Sequence, residues 1–493
     1  MKNYFTAERE VKPTKLIHAI ISFLGLVAVM SIGIVVFKVD PHIPMFIGVV
    51  IAAIVTMTLG YKWSTIEKMM VNGIGKAMQS ILILAIVGMM IGVWLLSGTI
   101  PTMIYYGLKL LSPKFFLVAT VLICSVTSVA TGTSWGTIGT MGLALIGIGH
   151  GLGMPVGPTA GAILAGAYFG DKVSPLSDTT NLAPAMAGTD VFTHVKYMLK
   201  STLVAYAIAL VFFGIYGFVH ATTGNVDTSQ AEILMDGIVS NFNINPILLL
   251  PPLIVILAIA FKIPAIPGIT LGLISAAILA PIMQGNLGIS DGDTITHVGV
   301  TFGDVLVSAK DGFICKTEVP ALNDLLTTGG LMNMSSSILM TVIAMMFGGI
   351  MEESGQLAVI IEAVTKRIKT AAGLIGTTEL TCILSNIVMP EQYISILVPG
   401  RMYAPAYRKF GLHPKSLSNA LESAGTVTSC LVPWNTCGLF IATTLGISAT
   451  TYIPWAVFNY SMPIVCFVMA VLGITATKMT PEEQARADAG EII

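Results

Sequence analysis

The chain has 493 residues, of which 54% are hydrophobic and 10% are charged, with 25 Lys and Arg against 26 Asp and Glu. A soluble domain carries about 25% charged residues, so this composition excludes a soluble protein and leaves a polytopic, all-helical membrane protein. Because a helix that crosses the bilayer needs about 20 apolar residues, the chain has room for roughly a dozen spans. A net charge of −1 without a basic run excludes a nucleic-acid-binding protein.

The apolar segments, taken in chain order, begin with a run over about 16–37 that is too long for a signal peptide and is predicted to be a retained first span. Further apolar segments follow at about 42–60, 79–98, 114–131, 135–150, 156–170, 201–220, 245–261, 264–284, 337–352, 372–389, 393–400, 417–446 and 452–476. The segments 114–131 and 135–150 are joined by the short stretch TGTS, and the second is rich in glycine. This pair is predicted to form a re-entrant hairpin, with two tightly connected ordinary spans as the alternative.

An internal repeat is visible at an offset of 257 residues. The two copies read GIGKAMQSILILAIVGMMIGVWLLSG from Gly73 and GLMNMSSSILMTVIAMMFGGIMEESG from Gly330. Shared apolar composition does not explain the paired glycines or the closing Ser-Gly, so we interpret the match as a duplication. The correspondence continues, with Cys124 against Cys382, into a second candidate hairpin around Met389–Gln392. If each hairpin enters and leaves on one side, each half has an odd number of crossings and the halves are inverted repeats.

These elements predict a first repeat over 1–220, a linker over 221–244, a second repeat over 245–476 and a tail over 477–493. Lysine and arginine are concentrated in the segments that this topology places inside, which predicts that both termini are cytoplasmic. The segment 285–336 then falls outside as an extracellular, solvated and partly helical excursion.

The most informative polar stretch is AGAYFGDKVSPLSDTTNLAPA, which runs from Ala165 to Ala185. It places Asp171, Lys172 and Asp178 inside a predicted span, where each charge costs at least ~2.5 kcal/mol, so these residues are functional candidates. Pro175 breaks the helix and frees backbone groups to face a ligand. Carboxylate, hydroxyl and amide oxygens suit Na⁺ rather than a transition metal. The alternative is an ordinary solvated loop between two short helices.

The repeat partner of this stretch, from Ser418 to Gly438, has a proline break but lacks both aspartates. The residues expected to complete the opposite wall of the site are therefore Glu422, Ser429, Asn435 and Thr436, with a cytoplasmic surface position as the alternative for Glu422. Thr133 and Ser134 are expected to contribute hydroxyls from the first hairpin tip. The candidate cation-binding residues are Asp171, Ser177, Asp178, Thr180, Asn181, Thr133, Ser134, Asn435 and Thr436.

Two motifs together carry a family resemblance: GTSWGTIGTMG, from Gly132 to Gly142, and AGAYFGDKVSPLSDTTNLA, from Ala165 to Ala183. The chain resembles the NhaC family of Na⁺/H⁺ antiporters, within the ion transporter superfamily. The resemblance implies inverted repeats with two re-entrant hairpins and two broken helices, and a transport domain that moves against a scaffold as an elevator. It carries over as Na⁺-site residues Asp171, Asp178, Thr180 and Asn181.

The function expected from these observations is exchange of cytoplasmic Na⁺ for external H⁺ across the inner (plasma) membrane, with Asp171 and Asp178 as the competing acceptors. The alternative is a Na⁺- or H⁺-coupled exchanger of organic acids of the malate/lactate type. No enzymatic activity is expected, and no cofactor beyond the transported Na⁺ and H⁺. The expected partners are small inorganic cations and the lipid bilayer, while a small organic acid and a homodimer are left open.

Overall fold

Inside the bilayer no water is available to hydrogen-bond the backbone. Long apolar segments therefore fold as helices, whose backbone hydrogen bonds are internal. The structure, a computed structural model, describes residues 11–222, 229–261, 263–285, 287–290, 295–365 and 368–488. The two chain ends and residues 223–228 of the expected linker lie outside the described residues. Within the expected linker, a helix runs over Ser229–Asn241.

The first half consists of helices joined by short turns, with two π-helical turns over Ile32–Val36 and Ile138–Gly142. Its helices are α1 (Leu16–Ser31), α2 (His42–Thr58), α3 (Trp63–Lys76), α4 (Met78–Leu96), α5 (Thr99–Leu110), α6 (Pro113–Thr131), α7 (Ser134–Thr137), α8 (Leu143–Gly151), α9 (Val156–Val173), α10 (Asp178–Ala187) and α11 (Val191–Thr222).

The remainder is also helical, apart from an antiparallel hairpin of β1 (Leu287–Ser290) and β2 (Ile295–Val298). Its helices are α12 (Ser229–Asn241), α13 (Leu250–Ala260), α14 (Ala265–Met283), α15 (Phe302–Asp311), α16 (Pro320–Leu326), α17 (Ser335–Glu353), α18 (Gln356–Thr365), α19 (Ala371–Val388), α20 (Gln392–Lys409), α21 (Pro414–Leu421), α22 (Thr436–Leu445), α23 (Ala449–Tyr452), α24 (Val457–Val471) and α25 (Pro481–Asp488). Tighter or wider turns occur at Pro246–Leu249, Met332–Met334, Glu422–Thr426, Ser429–Leu431 and Ile453–Trp455.

Six helices of the described chain are long and apolar enough to cross a membrane: α4, α6, α11, α14, α17 and α19. The number rises to eight if two pairs of helices, bent by 104° and 91°, are each counted as one span. The helices α1, α2 and α24 are apolar but shorter. The described structure is therefore almost entirely helical, as expected for a polytopic membrane protein, with fewer full-length spans than composition predicts because several apolar segments are interrupted.

Each half contains a pair of helices joined at a tip, followed by a helix that is broken and restarts. In the first half the tip lies between α6 and α7, and the break between α9 and α10. In the second half the tip lies between α19 and α20, and the break precedes α22. The first tip turns at Gly132, which has a φ of +67° that favours glycine.

Two close contacts between the halves involve glycines of the sequence repeat. A Cβ added to Gly73 would lie 2.9 Å from the Cα of Gly349. A Cβ added to Gly92 would lie 3.1 Å from the nitrogen of Gly330. At the offset of 257 residues, Gly330 is the equivalent of Gly73 and Gly349 is the equivalent of Gly92. The contact of Gly73 with Gly349 is therefore equivalent to the contact of Gly92 with Gly330.

The segment 285–336 contains two short helices, and part of it packs against α4 where it is described. The Ser308 hydroxyl donates to the carbonyl of Gly92 at 2.8 Å, and the amide of Gly330 donates to the carbonyl of Gly88 at 2.7 Å. Leu322 and Leu326 are completely buried. The glycines of α4 expose its backbone, which allows this direct contact.

The close approach of α6 and α9 positions the polar stretch that the sequence singles out. A Cβ on Gly166 would lie 2.3 Å from the carbonyl oxygen of Val121, and one on Gly170 would lie 2.4 Å from the Cβ of Ser128. Small residues four positions apart allow two membrane helices to touch through their backbones. The end of α9 is therefore held directly against the first tip.

Candidate functional site

A cavity of about 850 Å³ opens between the two tips and the break of the first half. Its wall is formed by the first tip (131–135), the first break (175–179), the second tip (391–393) and the junction of α3 with α4. Thr133, Ser134, Asp171, Ser177 and Asp178 all line it. The structure thus brings the predicted tip hydroxyls and both predicted aspartates to one cavity.

Asp171 is the buried carboxylate of this cavity, with 5% of its surface exposed. The Ser134 hydroxyl of the first tip donates to its Oδ2 at 2.6 Å, and the Ser177 hydroxyl of the break donates to its Oδ1 at 2.6 Å. Hydrogen bonds to a charged acceptor are the strong ones, so these contacts hold the carboxylate in one orientation.

Asp178 differs from Asp171 because its side chain is exposed in the cavity. It begins α10, where the positive end of the helix dipole favours a negative charge. Its Oδ2 accepts a long hydrogen bond of 3.5 Å from the hydroxyl of Tyr393 on the second tip. The structure therefore gives the two aspartates different environments, which the sequence does not distinguish.

Thr180 and Asn181 fix the backbone of the break and do not line the cavity. The Thr180 hydroxyl donates to the carbonyl of Asp171 at 2.9 Å and to that of Lys172 at 3.0 Å. The Asn181 side-chain amide donates to the carbonyl of Pro175, within the break, at 2.9 Å. Both side chains satisfy carbonyls that the interrupted helix leaves open.

Asn435 and Thr436 are buried and are not part of the cavity wall, which differs from their expected position. The Asn435 side chain caps α22 by accepting from the amide of Cys437 at 3.0 Å, and its amide donates to the carbonyl of Asn386 at 3.2 Å. The amide of Thr436 donates to the carbonyl of Pro390 at 2.9 Å. These residues support the second tip from behind because their polar groups are used in capping and bracing.

The second half instead contributes Glu391, Gln392 and Tyr393, which were not among the candidate residues. Glu391 is 1% exposed, and its Oε2 accepts from the amides of Tyr393 at 2.7 Å and Ile394 at 3.3 Å. It is thus the capping residue of α20. The sequence signal was an acidic residue directly after a proline inside an apolar region, at the position that begins a helix.

The described wall contains three carboxyl groups, those of Asp171, Asp178 and Glu391, and one lysine, Lys76. The Lys76 ammonium lies 2.5 Å from a carboxylate oxygen of Glu352, which balances its charge. The cavity is therefore rich in carboxyl groups and its lysine is paired, an arrangement that favours cations over anions. Within the described ranges, no group of three or more His, Cys, Asp or Glu side chains could hold a metal ion. The groups around Asp171 are hydroxyl and carboxylate oxygens, which are the ligands that hard cations take in proteins.

This arrangement of interrupted helices around a polar cavity in an apolar bundle defines a polytopic membrane transport protein. A sequence model of the Na⁺/H⁺ antiporter family matches residues 166–474. The Na⁺/H⁺ antiporter NhaC of Alkalihalophilus pseudofirmus is 36% identical over 92% of this chain and 95% of its own length. The malate-2H⁺/Na⁺-lactate antiporter of Bacillus subtilis is 38% identical over 88% and 90%, respectively. The arginine/ornithine antiporter ArcD of Halobacterium salinarum is 33% identical over 96% and 95%.

The chain belongs to the Na⁺/H⁺ antiporter family. The resemblance to NhaC antiporters predicted from the motifs is thereby confirmed. These relatives are transporters rather than enzymes. Together with the candidate spans, they indicate a multi-pass protein of the plasma membrane.

Proposed function

We propose that this protein exchanges Na⁺ for H⁺ and that the two ions compete for Asp171. The observation that carries the proposal is the Asp171 carboxylate, which is buried yet reaches the cavity and is held by Ser134 and Ser177. A buried carboxylate is costly unless a cation or a proton neutralises it. Because one carboxylate cannot be neutralised by both ions at once, binding of Na⁺ displaces the proton and binding of a proton displaces Na⁺.

The other predicted residues have supporting roles in this proposal. Asp178, at the cavity surface, attracts Na⁺ and provides a second carboxylate. Thr133 and Ser134 supply the tip, while Thr180 and Asn181 keep the break in shape. Asn435 and Thr436 hold the second tip against its own break.

A coupled exchange of organic acids is the second candidate, because one relative is a malate-2H⁺/Na⁺-lactate antiporter and the cavity is larger than one ion requires. The charge of the cavity argues against a dicarboxylate. The exposed carboxylate of Asp178 would repel it, and the cavity offers it no unpaired positive side chain, because Lys76 is paired with Glu352. The cavity therefore favours Na⁺ as the principal substrate.

Flux into proteoliposomes separates these two functions. We expect Na⁺ alone to drive proton movement in vesicles that contain the purified protein and a dye sensitive to pH. This proton movement should not require an organic substrate, which is tested by adding malate, lactate, arginine or ornithine with and without Na⁺. If proton movement occurs only when malate or lactate is present, the organic acid exchanger is the correct function.

We also propose that residues 1–220 and 245–476 form inverted repeats and that transport uses an elevator movement. The proposal is supported by the matching order of tip and break in each half and by the corresponding glycine contacts, Gly73 with Gly349 and Gly92 with Gly330. A two-fold relation between the halves requires each contact to occur twice, once from each half, as these two glycine contacts do.

The proposed topology has both termini in the cytoplasm and residues 285–336 outside. All six native cysteines are buried, so they give little background in a labelling experiment. We expect Lys316→Cys, at an exposed position, to react with a membrane-impermeant maleimide in intact cells. Lys409→Cys, an exposed control that the topology places inside, should react only after permeabilisation. The opposite pattern would reverse the orientation.

A further inference from the structure

A second group of charged side chains lies behind the cavity, and the proposed exchange at Asp171 does not use it. Lys172 and Glu422 are completely buried and Glu379 is 4% exposed, and none of them lines the cavity. The Lys172 ammonium donates to the hydroxyl of Ser423 at 3.1 Å, and its charged neighbours are Glu422 and Glu379. In the described part of the chain, Glu422 Oε2 and Glu379 Oε1 have no hydrogen-bond partner.

Two hydroxyl groups connect this cluster to the cavity. The Ser177 hydroxyl donates to Oδ1 of Asp171 at 2.6 Å and lies 3.0 Å from the hydroxyl of Thr179. The Thr179 hydroxyl in turn donates to Oε1 of Glu422 at 3.1 Å. Asp171 and Glu422 are therefore joined by three consecutive oxygen contacts, which we call the hydroxyl bridge of Ser177 and Thr179.

All three contacts of the hydroxyl bridge can be hydrogen bonds only if the bridge holds one proton more than its two hydroxyls supply. Each hydroxyl has one proton to donate. If Asp171 and Glu422 are both ionised, Ser177 and Thr179 each donate to a carboxylate and no proton remains for the contact between them. One additional proton, on either carboxyl group, allows all three contacts to be hydrogen bonds that point in the same direction.

The balance of buried charge also requires one additional proton or cation. Lys172 carries one positive charge, whereas Asp171 and Glu422 together carry two negative charges, so these three groups require one further positive charge. A proton on the hydroxyl bridge or a Na⁺ at Asp171 supplies it. Glu379 makes no hydrogen bond to the bridge, so it does not share this proton, and it enters this balance as a neutral acid that adds no charge.

We propose that Glu422, with Lys172 beside it, is the residue that couples Na⁺ to H⁺, by forcing the site to hold one of the two ions at all times. This inference deepens the proposed function and rests on it. The shared proton moves when Glu422 gives it to Thr179, Thr179 gives its own to Ser177, and Ser177 gives its own to Asp171. One O–H bond is broken at Glu422 and one is formed at Asp171, so the step needs no other reactant. Na⁺ that enters at Asp171 displaces the proton into the cavity.

The titratable groups that interact electrostatically with Glu422 or with Lys172 come from three helices besides that of Asp171. They are Asp171 on α9, Glu379 and Cys382 on α19, Cys466 on α24 and His194 on α11.

The first test is Glu422→Gln, with Glu379→Gln as a matched control in the same cluster. In Glu422→Gln the charges of Lys172 and Asp171 balance without a further ion, so we expect Na⁺-dependent proton movement to fall at least tenfold. Exchange of labelled Na⁺ for Na⁺ should continue, which also reports that the protein is folded. Glu379→Gln should keep both activities.

The second test addresses the hydroxyl bridge and does not depend on recovery of Glu422→Gln. Thr179→Val keeps the shape of the side chain but removes its hydroxyl, so the proton is confined to Asp171 and is held less firmly. We expect the pH profile of Na⁺/H⁺ exchange to shift to lower pH by about one unit, the equivalent of one hydrogen bond. Thr179→Ser should restore the wild-type profile.

The outcomes distinguish this inference from the proposed function. If the wild-type protein shows no Na⁺-dependent proton movement, the proposed function itself is wrong. If the wild-type protein exchanges Na⁺ for H⁺, but Glu422→Gln behaves like Glu379→Gln, or Thr179→Val keeps the wild-type pH profile, the role assigned to Glu422 is overturned.

Discussion

Asp171→Asn is expected to abolish Na⁺-dependent proton movement in proteoliposomes. The amide has nearly the same shape as the carboxylate, but it can neither take up a proton nor provide a full negative charge. Removing one partner of a buried charge interaction costs about 2–5 kcal/mol, so Na⁺ affinity should fall at least a hundredfold, on the order of 3 kcal/mol. The measurement is the rate of dye response over a series of Na⁺ concentrations.

Asp178→Asn is the matched control because it makes the same chemical change at an exposed position of the same cavity. An exposed carboxylate is screened by water and contributes on the order of 1 kcal/mol. We therefore expect exchange to continue with an affinity for Na⁺ that is reduced about tenfold or less. If Asp178→Asn were inactive while Asp171→Asn remained active, Asp178 would be the residue for which Na⁺ and H⁺ compete. Asp171 would then not be the shared acceptor.

Gly170→Ala is expected to damage both stability and transport. The added Cβ would lie 2.4 Å from the Cβ of Ser128 and 2.6 Å from the backbone nitrogen of Val129, so α9 and α6 must separate. Overpacking of this kind costs about 1–3 kcal/mol. The separation also moves Asp171 away from Ser134, and errors of about 1 Å in a functional site reduce rates on the order of a hundredfold.

The expected result for Gly170→Ala is a lower unfolding temperature and at least a tenfold loss of exchange. Gly75→Ala is the control, because this glycine also lies in a helix but a Cβ there would meet no atom within 4 Å. Alanine favours helix by about 1 kcal/mol over glycine, so Gly75→Ala should be as stable as the wild-type protein or more so. Equal behaviour of the two variants would show that α6 and α9 need not touch through their backbones.

The sequence predicts the parts of the site that depend on local pattern. Composition and apolar length indicate the spans, while Pro175, Pro433 and the glycine-rich tip indicate where helices are interrupted. Asp171 and Ser134 could be placed in one site because both occur at such interruptions. Their direct hydrogen bond was not predictable, because it depends on how closely α6 and α9 approach.

The parts that were missed depend on contacts between distant segments. Asp171 and Asp178 look alike in sequence, and only the surrounding structure makes one buried and the other exposed. Glu422 is expected from sequence on the opposite wall or at the cytoplasmic surface, but its contact with Thr179, 243 residues away along the chain, is visible only in the structure. Asn435 was expected on the cavity wall, but a helix cap and a cavity ligand require the same type of residue, so the sequence alone does not separate the two roles.

The corresponding glycine contacts, Gly73 with Gly349 and Gly92 with Gly330, bear on the origin of the chain. A surface that pairs with its own repeat has the symmetry of a homodimer interface. If the two halves are the inverted repeats proposed above, a half-length ancestor assembled from two separate copies through these same glycines. Those copies entered the membrane in opposite directions, which a fixed bias of lysine and arginine between loops would have prevented. On this proposal the glycine contacts predate the gene fusion, and the asymmetric distribution of positive charge arose after it.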